Sequence, residues 1–420
     1  MSSQKKKIYV YADWLEFETP ALMGILSVEL LRGKEIFSFE YADKWLNSNN
    51  TQVLDPDLGL YSGNQYLRDE KSNFGLFLDS SPDRWGRVLM KRREVIVAKS
   101  EKRAVKTLYE SDFLLGVYDL HRTGALRFKL EPEGDFLDNN KEYSAPPWTS
   151  IRELEYASLE LEKNIEQDNP NLLKWLNILM APGSSLGGAR PKASVQHTDG
   201  SLWIAKFPSN NDDTDTGAWE MVANELAQKA GINTAEAIIK RYNSKHHTYL
   251  TKRFDRTMNG KRIHFSSAMT LLGYTDGIGA ADGVSYIELA EFIIQNGADV
   301  KKDLSELFKR IVFSIAVSNT DDHLRNHGWI LTNHGWILSP AYDINPNPYG
   351  TGLKLNISED DNSLDFDLAL AVAPYFRLTE KDAVNIIGCI KSIVSKWEEV
   401  AAKYQIPKSE RDLMYSAFRY

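Results

Sequence analysis

The chain begins with three short, mostly apolar runs that are rich in aromatic and branched residues, KIYVYADW, GILSVELLRG and EIFSFEY. Such runs are typical of β-strands. Pro20 and Gly33 supply turn signals between the runs. The pattern therefore predicts a small N-terminal sheet.

Farther along, the apolar positions recur with a helical period. Residues 85–97 form an apolar and basic helical pattern that Asp83 opens as a cap, and residues 150–167 and 171–180 follow as two more helices. Residues 131–148 concentrate Pro, Gly, Asn and acids and have no period. That composition predicts a linker or an exposed loop.

Strand patterns return near residue 190. Two alternating runs flank a turn at 197–200, a helix over 219–230 ends at Gly231, and the runs AEAIIKRY and HTYLTKRFD predict two more strands. The rest of the chain is mostly helical and ends with EKDAVNIIGCIKSIVSKWEEVAAKY. We expect Cys389 in this last helix to be a small buried residue.

Length and composition limit the classes of protein. A chain of 420 residues with 42% hydrophobic residues can form two or three packed units. A net charge of -8 disfavours direct coating of nucleic acid, and one cysteine excludes an internal disulfide or a cysteine-based metal site. We find no signal peptide and no run long enough to span a membrane. We expect a soluble, cytoplasmic protein with no membrane association.

The candidate chemistry lies in NTDDHLRNHGWILTNHGWILSPAYDINP, residues 319–346. Asp321 and Asn326 stand five apart, and the two HGWIL runs around Thr332 and Asn333 predict a hairpin that returns Asp343 to the start of the stretch. Phosphoryl transfer needs such a set. Asp321 would accept the proton of an attacking hydroxyl, while Asn326 and Asp343 would hold magnesium against nucleotide phosphates.

Upstream residues supply the other parts of a kinase. Lys206 on a predicted strand can reach the phosphates, and Glu220 on the next helix can hold that lysine. Gly187 and Gly188 allow the backbone to approach phosphates closely, and Lys192 adds positive charge. The sequence therefore predicts an ATP site.

Each of these features also has a purely structural explanation. The glycines fit a tight turn, Lys206 a strand edge, Glu220 the start of a helix, and Asp343 an Asx turn. The order of all of them along the chain is what favours a kinase. A metal-dependent hydrolase is the rival hypothesis, since carboxylate and imidazole groups also cluster. Its candidate ligands are Asp321, His323, His327 and His334.

These motifs resemble those of the HipA-type serine/threonine kinase toxins of bacterial toxin-antitoxin systems. The resemblance covers almost the whole chain through FLDSSPDRWGR, LLGVYDLHRTGALRF, SSLGGARPKASV, YLTKRFDR, NTDDHLRNHGWIL and LSPAYDI. It implies an α+β, protein-kinase-like fold with two lobes. The predicted segments are an N-terminal subdomain at 1–130, a linker or loop at 131–150, a strand-rich lobe with the Gly-rich loop at 151–255, and a helical lobe at 256–420.

The resemblance also implies roles for single residues. Asp321 would be the catalytic aspartate, Asn326 and Asp343 would bind Mg2+, and Lys206 would bind ATP. The implied ATP-binding set is completed by Gly187, Gly188, Ala189, Lys192, Glu220, Lys252, Phe254, His323 and Tyr342. The family often has Glu where this chain has Lys252. Ser185, with Ser184 as second choice, would be the autophosphorylation site that turns the enzyme off.

The resemblance finally implies partners. The protein substrate would be a translation component such as glutamyl-tRNA synthetase, and phosphorylation would arrest growth. A HipB-like helix-turn-helix antitoxin would bind the chain and carry it to DNA indirectly. The alternative is a catalytically silent, kinase-like corepressor scaffold that binds an antitoxin.

Overall fold

A computed structural model describes residues 5–48, 52–68, 71–141, 144–163, 172–180 and 190–420. Their contacts divide them into two compact units. The first unit lies within Met1–Asn210, Asp255–Ser266 and Gly273–Thr275, and the second comprises Asn211–Phe254, Ser267–Leu272 and Asp276–Tyr420. The four segments predicted from the sequence stay predictions.

Strands and helices occur in separate groups along the chain, as expected of an α+β protein. The strands within the described residues are β1 (Lys6–Ala12), β2 (Ala21–Leu31), β3 (Lys34–Tyr41), β4 (Gln65–Tyr66), β5 (Leu126–Lys129), β6 (Lys192–Gln196), β7 (Leu202–Lys206), β8 (Ala237–Lys240), β9 (Thr248–Lys252), β10 (Phe265–Ser267), β11 (Gly328–Thr332) and β12 (Gly335–Leu338). The helices are α1 (Asp43–Leu46), α2 (Gly75–Leu78), α3 (Arg84–Ser100), α4 (Glu110–Leu115), α5 (Ile151–Glu162), α6 (Leu172–Met180), α7 (Thr216–Lys229), α8 (Ala268–Leu271), α9 (Tyr286–Asn296), α10 (Val300–Ala316), α11 (Phe366–Val372), α12 (Glu380–Val394), α13 (Trp397–Lys403) and α14 (Lys408–Met414).

The first unit contains an antiparallel sheet with the strand order β4-β3-β2-β1-β5. Along β1, Ile8, Val10 and Ala12 are buried, whereas Tyr9 and Tyr11 are half-buried. The pairing of β1 with β2 and of β2 with β3 confirms the three N-terminal strands that the sequence predicted. In the same unit β6 pairs with β7, as predicted, and places Lys192 directly opposite Lys206.

The longest helix of the first unit begins where its cap was predicted. The Asp83 side chain accepts a hydrogen bond from the Gly86 backbone N–H at 2.8 Å, which satisfies a donor at the start of α3. Helix α6 packs against α3 and α5. These three helices confirm the helical pattern read from this region.

A buried arginine ties loops of the first unit together. Arg122 Nη1 donates to the carbonyl oxygens of Ser80 and Leu114 at 2.7 Å, and its Nη2 donates to those of Val117 and Leu137 at 3.0 and 3.1 Å. Burial lowers the pKa of this guanidinium to about 9. The side chain therefore donates to four backbone carbonyl oxygens, three in loops and that of Leu114 in α4.

In the second unit α10 packs against α9 and α12, and β8 pairs with β9. The predicted final helix is wrong in one respect, because it is interrupted between Val394 and Trp397. After the interruption Trp397 stacks on Phe418, with ring centroids 4.3 Å apart. Cys389 is exposed, contrary to expectation. It lies beside the buried stripe of α12, formed by Ala383, Ile390 and Val394.

The predicted hairpin is present as β11 and β12, with its turn one residue later than the sequence argument placed it. Thr332 pairs with Gly335, so Asn333 and His334 form the turn. Thr332 extends the strand, as a β-branched residue favours. Gly335 has a φ of +121°, and a Cβ there would lie 2.7 Å from the Asn296 carbonyl oxygen. Within the described residues, every helix is too short or too polar to cross a bilayer.

Candidate active site

The loop between α10 and β11 carries Asp321 and Asn326. The Asp321 carbonyl oxygen accepts hydrogen bonds from the His323 backbone N–H at 2.9 Å and from Asn326 Nδ2 at 3.0 Å. These bonds close a tight loop over residues 321–326. The Asp321 side chain is exposed, whereas Asn326 is buried. The loop therefore presents one carboxylate to solvent and fixes an amide beneath it.

The side-chain oxygen of Asn326 has no hydrogen-bond donor among the described residues. Asn326 Oδ1 is buried and accepts no hydrogen bond from the described part of the chain. A buried acceptor without a donor costs roughly 1–3 kcal/mol. Such a cost is expected where an oxygen is kept for a ligand.

The segment after the hairpin returns to this loop. The Ser339 N–H donates to the Gly328 carbonyl oxygen at 2.9 Å, and the Asn347 N–H donates to that of Ser318 at 3.2 Å. Asn347 Nδ2 also donates to Thr320 Oγ1 at 2.8 Å. Residues 339–347, which include Asp343, thus run beside residues 318–328.

Asp343 has an unusual backbone conformation. Its φ is +59°, in the left-handed region that aspartate tolerates better than most residues. Asn345 Nδ2 donates to Asp343 Oδ1 at 3.1 Å. Burial raises the pKa of Tyr249, and the charges of Glu220 and Asp343 raise it further. Glu220 on α7 and Asp343 therefore lie near the same buried tyrosine.

Behind the loop, Asp322 is the centre of a buried polar network. Its Oδ2 accepts hydrogen bonds from Tyr286 OH at 2.6 Å and Ser314 Oγ at 3.2 Å, and its Oδ1 lies 3.0 Å from His327 Nε2. Burial alone would raise the pKa of Asp322, but His327 and the Tyr286 bond outweigh burial and leave the pKa lowered. The sequence pattern does not predict this network.

Three residues of the predicted ATP-binding set, Lys252, Phe254 and Tyr342, also have defined partners in the second unit. The rings of Phe254 and Tyr342 lie 5.7 Å apart, and Tyr342 OH donates to the Arg325 carbonyl oxygen at 2.8 Å. The Lys252 N–H donates to the Glu236 carbonyl oxygen at 2.8 Å, and its Nζ lies 3.4 Å from Glu236 Oε2. The Lys252 side chain thus has its own carboxylate partner.

His323 stabilises the loop itself. Its Nδ1 accepts a hydrogen bond from the Arg325 N–H at 3.2 Å, at the start of a 3-10 turn over Leu324–Asn326. An accepting Nδ1 requires the proton of a neutral ring to be on Nε2. The predicted place of His323 in the ATP-binding set stays a prediction.

The predicted lysines lie in the first unit. Lys192 is buried, and its Nζ pairs with Asp83 Oδ2 at 2.9 Å. A buried ammonium needs such a partner. Lys206, on the same face of the β6 and β7 pair, is half-buried. The sequence pattern predicts Asp83 only as a helix cap and does not predict its pairing with Lys192.

Five predicted site residues have no structural description. Ser184, Ser185, Gly187, Gly188 and Ala189 lie outside the described residues. Their assignment to a phosphate-binding, self-phosphorylated loop stays a prediction.

The histidines proposed for a metal-dependent hydrolase do not gather. His334 is exposed at the tip of the hairpin, whereas His327 is buried against Asp322. Across the described ranges, no group of three or more His, Cys, Asp or Glu side chains is arranged to hold a metal ion. The contacts therefore give the hydrolase hypothesis no support.

Comparisons with known proteins agree with the resemblance seen in the motifs. The chain is similar over 98% of its length to the HipA of Shewanella oneidensis MR-1, solved with HipB and operator DNA, with a TM-score of 0.64 and 18% identity over 94% of that chain. This likeness confirms the predicted α+β, kinase-like fold of the HipA kind. A Helicobacter pylori proinflammatory kinase, CtkA, matches 51% of this chain and 93% of its own, with 13% identity and a TM-score of 0.34. That value is too low to support an argument.

Sequence comparison gives a shorter match and a longer one. A Haemophilus influenzae protein named as an inferred kinase is 32% identical over 114 residues, which is 26% of this chain and 33% of that protein. The chain thus matches only a third of that relative's length. The model of the HipA-like C-terminal domain matches residues 184–397, slightly more than half of the chain. The chain therefore belongs to the family of proteins with a HipA-like C-terminal domain.

Proposed function

We propose that the protein is an ATP-dependent serine/threonine protein kinase that acts as a growth-arresting toxin. The observation that supports this proposal most is the convergence of Asp321, Asn326 and Asp343 on two adjacent segments, with Asn326 Oδ1 buried and unsatisfied. Kinase chemistry uses this set of an acid, an amide and a second acid.

The residues fit a magnesium ion. Mg2+ prefers oxygen ligands, and one or two protein oxygens suffice because phosphates and water complete its coordination. The Asp343 carboxylate and the Asn326 Oδ1 are oxygen donors of this kind, and the second lacks another described partner. A bound Mg2+ would neutralise negative charge on the nucleotide phosphates.

The chain's own residues would do the rest. The exposed Asp321 carboxylate is accessible to the hydroxyl of a protein substrate, which it would orient and from which it would accept the proton. The hydrogen bond from Asn326 Nδ2 to the Asp321 carbonyl oxygen links the base to the amide that would hold the metal. Phe254 and Tyr342 offer aromatic faces to an adenine ring. The roles of Lys206, Lys192, Lys252 and Glu220 on ATP stay predictions.

We also propose a small helix-turn-helix antitoxin of the HipB kind as partner. This proposal rests on family membership and on the Shewanella oneidensis HipA, which was solved with HipB and operator DNA. A net charge of -8 suits a protein that would reach DNA through such a partner. Glutamyl-tRNA synthetase as substrate stays a prediction from the resemblance.

Intact-mass and peptide mass spectrometry after incubation with ATP and Mg2+ test the kinase. We expect the wild type to gain phosphate, on Ser185 or Ser184 if the loop prediction holds, and Asp321→Asn to gain none while still binding ATP in calorimetry. Asp412→Asn, which removes an exposed carboxylate elsewhere in the second unit, is the matched control and should react like the wild type.

Equal phosphate transfer by Asp321→Asn would refute the assignment of the base. A wild type that starts unmodified, binds ATP and transfers no phosphate, alone or with protein substrate, would instead favour the corepressor scaffold.

A further inference from the structure

Asn345 makes a contact that neither the sequence motifs nor the proposed mechanism uses. Its Nδ2 donates to Asp343 Oδ1 at 3.1 Å, two residues earlier in the chain. Its backbone N–H donates to Asn319 Oδ1, also at 3.1 Å. Asn345 is therefore held at its backbone and binds one oxygen of the candidate metal ligand with its side chain.

The anchor for Asn345 is itself buried and fixed. Asn319 is 1% exposed, and its N–H donates to the Ser314 carbonyl oxygen at 2.8 Å, on the last turns of α10. Ser314 Oγ donates to Asp322 Oδ2. A chain of hydrogen bonds thus runs from the buried carboxylate of Asp322 to the carboxylate of Asp343 through Ser314, Asn319 and Asn345.

We infer that Asn345 is a positioning residue that fixes the rotation of the Asp343 carboxylate for a divalent cation. The inference rests on the proposed function for the identity of that cation. An aspartate carboxylate can rotate about its Cβ–Cγ bond. A hydrogen-bond donor to one of its oxygens therefore fixes the orientation of both oxygens. Partners of this kind typically contribute 10- to 100-fold to metal affinity when they orient a ligand.

A merely structural role predicts something different. Asn347 lies on the same segment and donates to Thr320 Oγ1 at 2.8 Å, and its backbone N–H donates to the Ser318 carbonyl oxygen. If both asparagines only hold the segment against the loop, their removal should affect metal binding alike. If Asn345 orients Asp343, only the removal of the Asn345 side chain should weaken metal binding.

The test is a Mn2+ titration followed by electron paramagnetic resonance, with a non-hydrolysable ATP analogue present. We compare the wild type with Asn345→Leu, which keeps the side-chain size and removes the donor, and with Asn347→Leu. We expect the Kd for Mn2+ to rise about 10- to 100-fold in Asn345→Leu and to stay near the wild-type value in Asn347→Leu. Circular dichroism checks that each variant folds, and Asn345→Ala replaces Asn345→Leu if that variant does not.

Each outcome decides the inference. An unchanged Kd in the Asn345 variant, or equal weakening in both variants, overturns it. A wild type that binds no Mn2+ overturns it together with the proposed metal site. Weakening confined to Asn345, in a protein that transfers no phosphate, supports the positioning role and refutes only the kinase.

Discussion

Two neighbouring aspartates lie in opposite environments, and we expect their substitutions to have opposite consequences. Asp321 is exposed, whereas Asp322 is 4% exposed and binds Tyr286, Ser314 and His327. Asp322→Ala would leave a buried imidazole and two buried hydroxyls without their acceptor. Asp321→Ala would remove a side chain that stability does not depend on.

The contacts of Asp322 determine how much stability its substitution should remove. Each hydrogen bond to a charged group contributes about 1.5–3 kcal/mol. Asp322 accepts two such bonds, from Tyr286 and Ser314, and lies 3.0 Å from His327 Nε2. These terms are not additive, so we expect Asp322→Ala to lower the free energy of unfolding by about 3–5 kcal/mol. A surface substitution such as Asp321→Ala should change it by less than about 0.5 kcal/mol.

Urea unfolding followed by tryptophan fluorescence measures both variants, because Trp329 is buried on β11 nearby. The pH dependence gives a second check. The pKa of Asp322 is lowered in the folded protein, so its stabilisation is present above the unfolded value of 3.8 and is lost as the pH falls through the folded pKa. The gap between wild type and Asp322→Ala should therefore be full at pH 7 and shrink in acid below 3.8. Equal midpoints for the two aspartate variants at pH 7 would refute the reasoning.

Two further predictions concern stability. Arg122→Lys should lower the free energy of unfolding by about 3 kcal/mol, because one ammonium cannot reach four carbonyl oxygens and leaves buried acceptors unpaired. Urea unfolding measures this loss. An equal loss in Arg84→Lys, at an exposed position, would contradict the argument. Gly335→Ala should cost about 1–3 kcal/mol, because it combines a φ of +121° with a Cβ 2.7 Å from the Asn296 carbonyl oxygen. Gly200→Ala, with a φ of +86° and open space, is the control, and an equal or larger loss there in the same assay would contradict the contact argument.

The sequence predicts local features well in this protein. The N-terminal strand β1, the Asp83 cap of α3 and the β11–β12 hairpin are all present, because each depends on residues close in the chain. The hairpin turn is displaced by one residue because Thr332 continues the strand. Family membership is also accessible from sequence, since it depends on the order of several motifs.

Contacts between distant residues were not predicted. Asp322 binds Tyr286, which is 36 residues earlier, and Arg122 binds the carbonyl of Ser80, which is 42 residues earlier. No periodicity or spacing encodes such pairs. The ion pair of the buried Lys192 with Asp83 was not predicted for the same reason, since Asp83 lies on another segment. The role of Lys192 at phosphate stays a prediction.

The sequence Asp321–Asp322 also explains how a loop can be both firmly held and reactive. A general base must be exposed to its substrate, and an exposed loop has few contacts that fix its position. Here the next residue supplies those contacts, because Asp322 is buried and bound to α9 and α10 through Tyr286 and Ser314. The order of the two acids matters more than their number. If Asp321 acts as the base, its precision therefore depends on a neighbour that never meets the substrate, and loss of Asp322 should lower turnover in the folded fraction without removing the base.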